Sequence, residues 1–211
     1  MKNLDLEEQE QLAELKVWWK LNGTWVLTAV LVLAIAAAGW YGWSAWQFKR
    51  SSEASDLYES LAKAVQAGDA KAMRGANGAL LEHFGGTRYA SLGALLAAKF
   101  YFDRSDLKAA RAQLESVIER GDAAELKDLA RLRLAQVLLD EKALDEALKV
   151  LDAAHGAAFD AQYAVARGDV LFAKNQRAEA KTAYQLALEK SDPKSTAFRD
   201  AVNMRLDALG G

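Results

Sequence analysis

From Leu21 to Phe48 the chain carries no charged residue, and this run restricts the molecule more than any other feature. Lys16 and Lys20 stand before it, and Lys49 and Arg50 follow it. A bilayer core takes about 20 apolar residues as a helix of roughly 30 Å, and the stretch from Trp25 to Trp46 meets that requirement. All six tryptophans fall in the first quarter of the sequence. Trp18, Trp19 and Trp25 mark one interface; Trp40, Tyr41, Trp43 and Trp46 mark the other. An indole suits the headgroup level because its ring is apolar while its N–H stays hydrated. The alternative is a cleaved signal peptide, with a small-x-small site at Ala36 and Ala38. That site would fall inside the apolar run, behind a long acidic segment (Glu7, Glu8, Glu10, Glu14). The sequence therefore predicts a retained span over residues 23–48.

Charge does not orient the span. Lys2, Lys16 and Lys20 precede it, and Lys49, Arg50 and Lys63 follow, so the positive-inside comparison ties. Ala34, Ala38 and Gly42 recur every four residues and make a smooth stripe that a partner helix can approach. Before the span, Leu4 to Leu21 reads as a helix, with Leu12, Leu15 and Trp19 on one face. Asn22-Gly23 supplies a helix stop and a turn. Residues 1–22 are then an interfacial helix on the membrane surface, or a plain extension of the span.

Residues 49–211 form the remaining domain. Alanine and leucine dominate it, β-branched residues are sparse, and the fold class predicted is all-α. Helices are expected at Ser52–Ala67, Asp69–Phe84, Arg88–Phe102, Asp106–Arg120, Asp122–Leu139, Leu144–Ala154, Asp160–Lys174, Arg177–Lys190 and Ser195–Leu209. Between them stand Gly68-Asp69, Gly85-Gly86, Gly121-Asp122, Gly156 and Asp192-Pro193. In such breaks Gly ends one helix in a left-handed conformation and Asp caps the next.

Taken in pairs, the helices repeat. A tetratricopeptide unit has about 34 residues, with a small then a bulky residue in its first helix and a spaced alanine pattern in its second. Ala98 and Tyr101 with Ala110, Leu114 and Val117 make one unit. Ala135 and Leu138 with Ala147, Leu151 and Ala154 make a second; Gly168 and Leu171 with Ala180, Tyr184 and Ala187 make a third. Ala110, Ala147 and Ala180 are 37 and 33 residues apart. No pair buries its apolar face alone, so the pairs stack as a solenoid. Ser52–Phe84 is a weaker candidate pair, and Phe198, Val202, Leu206 and Leu209 mark a capping helix.

Chemistry-bearing motifs are missing from the sequence. Net charge is −2, without a basic footprint for nucleic acid. There is no cysteine, which removes disulfides, thiolate metal sites and a thiol nucleophile. His83 and His155 each lie in an expected last helical turn, close before Gly85 and Gly156, where the dipole favours them. No phosphate loop, nucleophile elbow or haem-attachment motif occurs. The expectation is no catalytic residue, no metal and no cofactor.

The working surface expected is the concave face of the stack. Register selects Leu92, Leu95, Lys99, Phe102 and Asp103 in the first unit. It selects Leu129, Leu132, Gln136, Leu139 and Asp140 in the second, and Gln162, Val165, Asp169, Phe172 and Ala173 in the third. Such a groove accepts an extended or helical apolar segment, unless neighbouring helices or the terminal helix already cover it.

The acidic start, the run Leu15-Lys16-Val17-Trp18-Trp19 before Asn22-Gly23, one span rich in small residues and tryptophan, and the segment Ala166-Arg167-Gly168-Asp169-Val170-Leu171 together resemble the YfgM family. Its members are ancillary subunits of the bacterial Sec translocon. The resemblance covers nearly the whole chain. It implies a bacterial inner-membrane protein with a short cytoplasmic N-terminus and a periplasmic helical domain. It also implies partners: the SecYEG translocon, a PpiD-like periplasmic chaperone, and translocating or unfolded proteins handed on to chaperones. Rival readings are an anchored scaffold for cytochrome c, pilus or outer-membrane assembly, and a small enzyme whose site lies near His83 or His155.

Overall fold

The computed structural model describes residues 6–210, with side chains from residue 10 onward. The predicted helix start at Leu4, the charge at Lys2 and the side chains of Glu7 and Glu8 lie outside the described residues. The described residues are helical, without a strand. α1 spans Leu6–Gln66, and the chain divides into two compact units between Arg50 and Ser51.

In the first unit α1 is long and apolar enough to cross a membrane, and it buries almost none of its surface. Trp25, Trp40 and Tyr41 are largely exposed, as are Leu21 and Phe48. Its polar side chains turn back onto its own backbone. Asn22 Nδ2 donates to the Trp18 carbonyl at 3.1 Å, and Thr28 Oγ1 to the Thr24 carbonyl at 2.8 Å. This corrects the expected stop at Asn22-Gly23. The helix runs through it, with the Asn22 side chain bonded back to the preceding turn instead of capping an end. Gly23 instead makes room for the Trp19 indole, which a Cβ there would meet at 3.2 Å. Over residues 6–22 the helix is continuous with the span. The break expected near Ser52 is also absent.

The second unit begins with the end of α1. Gly68 adopts φ +71, the Gly68 N–H donates to the Val65 carbonyl, and the Asp69 N–H donates to the Ala64 carbonyl. This Schellman arrangement stops the helix, and the Asp69 carboxylate then caps α2 (Ala70–Phe84) by accepting from the Lys71 and Ala72 N–H groups at 2.9 Å. α3 (Arg88–Phe102) and α4 (Leu107–Arg120) form the first clear pair. α5 (Ala124–Asp140) and α6 (Leu144–Leu151) form the second, and α7 (Asp160–Ala173) and α8 (Arg177–Lys190) the third. α9 (Thr196–Ala208) follows.

The repeat alanines Ala110, Ala147 and Ala180 are fully buried, as a close approach of paired helices demands. Ala98, Leu114, Val117, Ala135, Leu138, Leu151, Tyr184 and Ala187 join them in the core. Ala154 does not, because α6 ends at Leu151 and a single 3-10 turn (Ala157–Phe159) leads into α7. His155 therefore sits in a connection rather than a last helical turn, whereas His83 does lie in the last turn of α2. Asp122 does not cap α5, which starts at Ala124. Gly121 is not left-handed either; its φ is −59, and a Cβ would meet the Val117 carbonyl oxygen at 2.6 Å.

Inside each pair the turn is built alike. Ser105, Lys142 and Asn175 adopt φ 60, 62 and 61, and their N–H groups donate to the carbonyls of Phe102, Leu139 and Phe172. They are spaced by the same 37 and 33 residues as the repeat alanines. Three apolar cores result: one from the end of α1 with α2 and α3, one running from α3 to α7, and one joining α7, α8 and α9. The last contains buried Val202, with Phe198, Leu206 and Leu209 packed on it, so α9 caps the stack.

Candidate protein-binding groove

The first helix of each pair contacts the first helix of the next, α3 with α5 and α5 with α7. Two open cavities lie along these contacts. The first, of about 330 Å³, lies between α3 and α5 and is lined by Ala98, Lys99, Phe102, Asp103, Leu114, Arg133, Gln136 and Val137. The second, of about 210 Å³, lies between α5 and α7 and is lined by Leu132, Ala135, Gln136, Leu139, Gln162, Val165, Ala166, Asp169, Val170 and Phe198. Gln136 belongs to both, so the cavities adjoin.

The residues selected by register divide into three sets. Lys99, Phe102, Asp103, Leu132, Gln136, Leu139, Gln162, Val165 and Asp169 line the cavities. Leu95 is 3% exposed and belongs to the core, while Leu92 and Leu129 are half-buried against that core and line neither cavity. Asp140, Phe172 and Ala173 are exposed at the ends of α5 and α7, outside both cavities. The cap covers one end of the face. Phe198 of α9 enters the second cavity, and Arg205 Nε donates to Asp169 Oδ1 at 2.8 Å.

Most polar groups on this face are internally paired. Lys99 bonds Asp103 at 2.7 Å, and Gln136 Nε2 donates to Asp140 at 3.4 Å. Asp169 accepts from Arg205 and, at 2.8 Å, from the Tyr184 hydroxyl. Burial first, and then the bond to Asp169, pushes the Tyr184 phenol well above its ordinary range. The hydrogen bond to Asp169 raises Arg205 in turn. Arg133 differs: its Nη1 reaches only the Leu95 carbonyl, at 3.4 Å, and burial alone lowers its pKa.

Register reasoning missed Arg133 and Phe198. Arg133 stands where the other two units carry Leu96 and Ala166, so no repeat signals it. Phe198 belongs to the cap, outside the repeat altogether.

Other polar clusters hold the scaffold. Arg111 bonds Glu115 at 2.8 Å and also pairs with Glu146 and Glu141, tying α4 to the second pair; Glu146 first and then Glu115 raise its pKa. Asp128, nearly buried, accepts from the Gly156 N–H at 3.0 Å and pairs with Arg131 at 2.8 Å. The His155 ring stacks on Tyr163 with centroids 3.8 Å apart, and its Nε2 lies 3.4 Å from Asp160. These contacts lock the connection before α7. Among the described residues no three His, Cys, Asp or Glu side chains gather to hold a metal. In the first unit, a Cβ added at Gly42 would meet nothing within 4 Å. Ala34 and Ala38 are exposed beside it.

The family model of a tetratricopeptide repeat-like domain matches residues 16–211. A Neisseria gonorrhoeae protein is 33% identical over 97% of this chain and 98% of its own length, and a Haemophilus influenzae protein is 30% identical over the same shares. An Escherichia coli protein is 29% identical over 96% of each chain. All three relatives are named ancillary SecYEG translocon subunit. No solved structure gives a significant match.

Proposed function

Because this chain belongs to the YfgM family, the tetratricopeptide repeat-like ancillary subunits of the SecYEG translocon, we propose that it is a single-pass inner-membrane subunit that works beside the translocon and binds protein segments in its α3–α5–α7 groove. It is an adaptor and not an enzyme, as its family is. The observation that supports groove binding is the pair of adjoining open cavities with Phe102, Leu132, Leu139 and Val165 on their walls. Apolar side chains left open along a concavity, with polar neighbours, suit protein recognition.

In this reading residues 23–48 lie in the bilayer, residues 1–22 begin in the cytoplasm, and residues 49–211 stand in the periplasm. There the groove meets emerging polypeptides and passes them to a PpiD-like chaperone. The small-residue stripe Ala34, Ala38 and Gly42 packs on a partner's membrane helix. Co-purification of the full chain in mild detergent tests this. SecYEG subunits and a membrane-anchored periplasmic chaperone should be recovered, and Gly42→Leu should weaken recovery while insertion stays intact. Recovery of haem-ligation or pilus-assembly components without SecYEG would overturn the proposal.

A further inference from the structure

Among the described residues, Arg133 is a groove cation that pairs with no carboxylate. The other groove cations are paired, Lys99 on the same cavity wall with Asp103 and Arg205 of the cap with Asp169. Among the described residues no acid pairs with Arg133. A helical carbonyl at 3.4 Å is its one hydrogen-bond acceptor, at the limit of bonding distance. The residue is exposed to solvent, so its guanidinium is open to an incoming partner. Partial burial against the cavity wall lowers its pKa, whereas paired carboxylates raise those of Arg111 and Arg205.

We infer that the α3–α5 cavity receives an acidic side chain, held by Arg133 and flanked in the bound segment by apolar residues that rest on Phe102 and Val137. The complement of an unpaired guanidinium is a carboxylate, which it grips through a forked pair of hydrogen bonds. The acid belongs to the interior of a polypeptide rather than to its end. The α5–α7 cavity adjoins it at Gln136, so a bound segment has room to run on, and Arg205 already neutralises Asp169 there. This inference rests on the groove reading above and adds the chemistry of what the groove selects.

The test uses the full chain in lipid nanodiscs and fluorescence anisotropy, with binding to empty nanodiscs subtracted. The probes are a ten-residue peptide of leucines spaced by serines with one central glutamate and both ends blocked, its glutamine twin, and the twin with a free C-terminal carboxylate. The blocked glutamate peptide should bind about tenfold tighter than the glutamine twin, the factor expected of one partly exposed charge-assisted hydrogen bond. Arg133→Gln should erase that difference, and Arg133→Lys should keep most of it. Equal binding of glutamate and glutamine peptides to the unaltered chain would overturn the inference and leave the groove standing. Tighter binding of the free-ended twin than of the glutamate peptide would overturn it in favour of chain ends. Binding of none of the three would remove the groove as well.

Discussion

Adding one methyl group at Gly168 should cost the second unit more than any loss of helix propensity could explain. An ideal Cβ there would lie 2.4 Å from Tyr184 Cε1 and 2.6 Å from Cδ1. Ordinary carbon contacts need about 3.5–4 Å, so the ring must retreat by roughly 1 Å. Tyr184 has nowhere free to go: it is 2% exposed, and its hydroxyl donates to Asp169, which also holds Arg205 of the cap. Overpacking costs about 1–3 kcal/mol, and weakening a hydrogen bond to a carboxylate adds roughly 1 kcal/mol. Alanine returns about 1 kcal/mol of helix propensity. The net expectation for Gly168→Ala is about 2 kcal/mol of destabilisation. In a domain of this size that lowers the melting temperature by about 4–8 °C. Circular dichroism melts of the full chain in nanodiscs measure it. Gly78→Ala is the matched control, since a Cβ there meets nothing within 4 Å on an exposed turn of α2. It should melt higher by about 2–4 °C, reflecting propensity alone. A Gly168→Ala protein that melts at or above the unaltered chain would refute the packing argument.

Protease added to spheroplasts should digest residues 49–211, and full protection with the outer membrane breached would show the opposite orientation. Tyr184 sets an alkaline limit. Its folded pKa is raised above the ordinary 10, so its contribution is complete below about pH 10 and is lost as pH rises through the folded value. Tyr184→Phe should be less stable than the unaltered chain near pH 8, with the gap narrowing near pH 11 in paired melts. Lys142 pays for a φ of 62 that glycine adopts freely. Lys142→Gly should therefore raise the melting temperature by about 2 °C, reflecting a net gain of roughly 0.5 kcal/mol; a fall would show that lost entropy outweighs relieved strain.

What the sequence revealed follows from which physical demands repeat. Close approach of paired helices requires a small residue at the crossing in every unit, so Ala110, Ala147 and Ala180 announce the solenoid. The turn inside each pair makes an equally regular demand, a left-handed residue, but Ser105, Lys142 and Asn175 meet it without glycine and leave no pattern to read. Asn22-Gly23 misleads because the same pair that can end a helix here leaves a gap for the Trp19 indole within a continuous one. Helical register finds which residues face the α3–α5–α7 side, yet cannot separate Leu95, sealed in the core, from Phe102, which lines the open α3–α5 cavity. Arg133 was hidden for a different reason: one unit alone carries it, so only the assembled walls show a cation without an acid.

Photo-crosslinking from Gln136 tests the central claim, that this groove binds protein segments beside the translocon. Gln136 is exposed and lies on both cavities, so a photoreactive residue there faces whatever occupies either. Lys181 on α8, exposed and outside both cavities, is the control position. With a secretory polypeptide arrested in the translocon, the position-136 probe should form adducts with that polypeptide and the position-181 probe should not. Adducts from position 181 in equal yield, or none from position 136, would contradict the account.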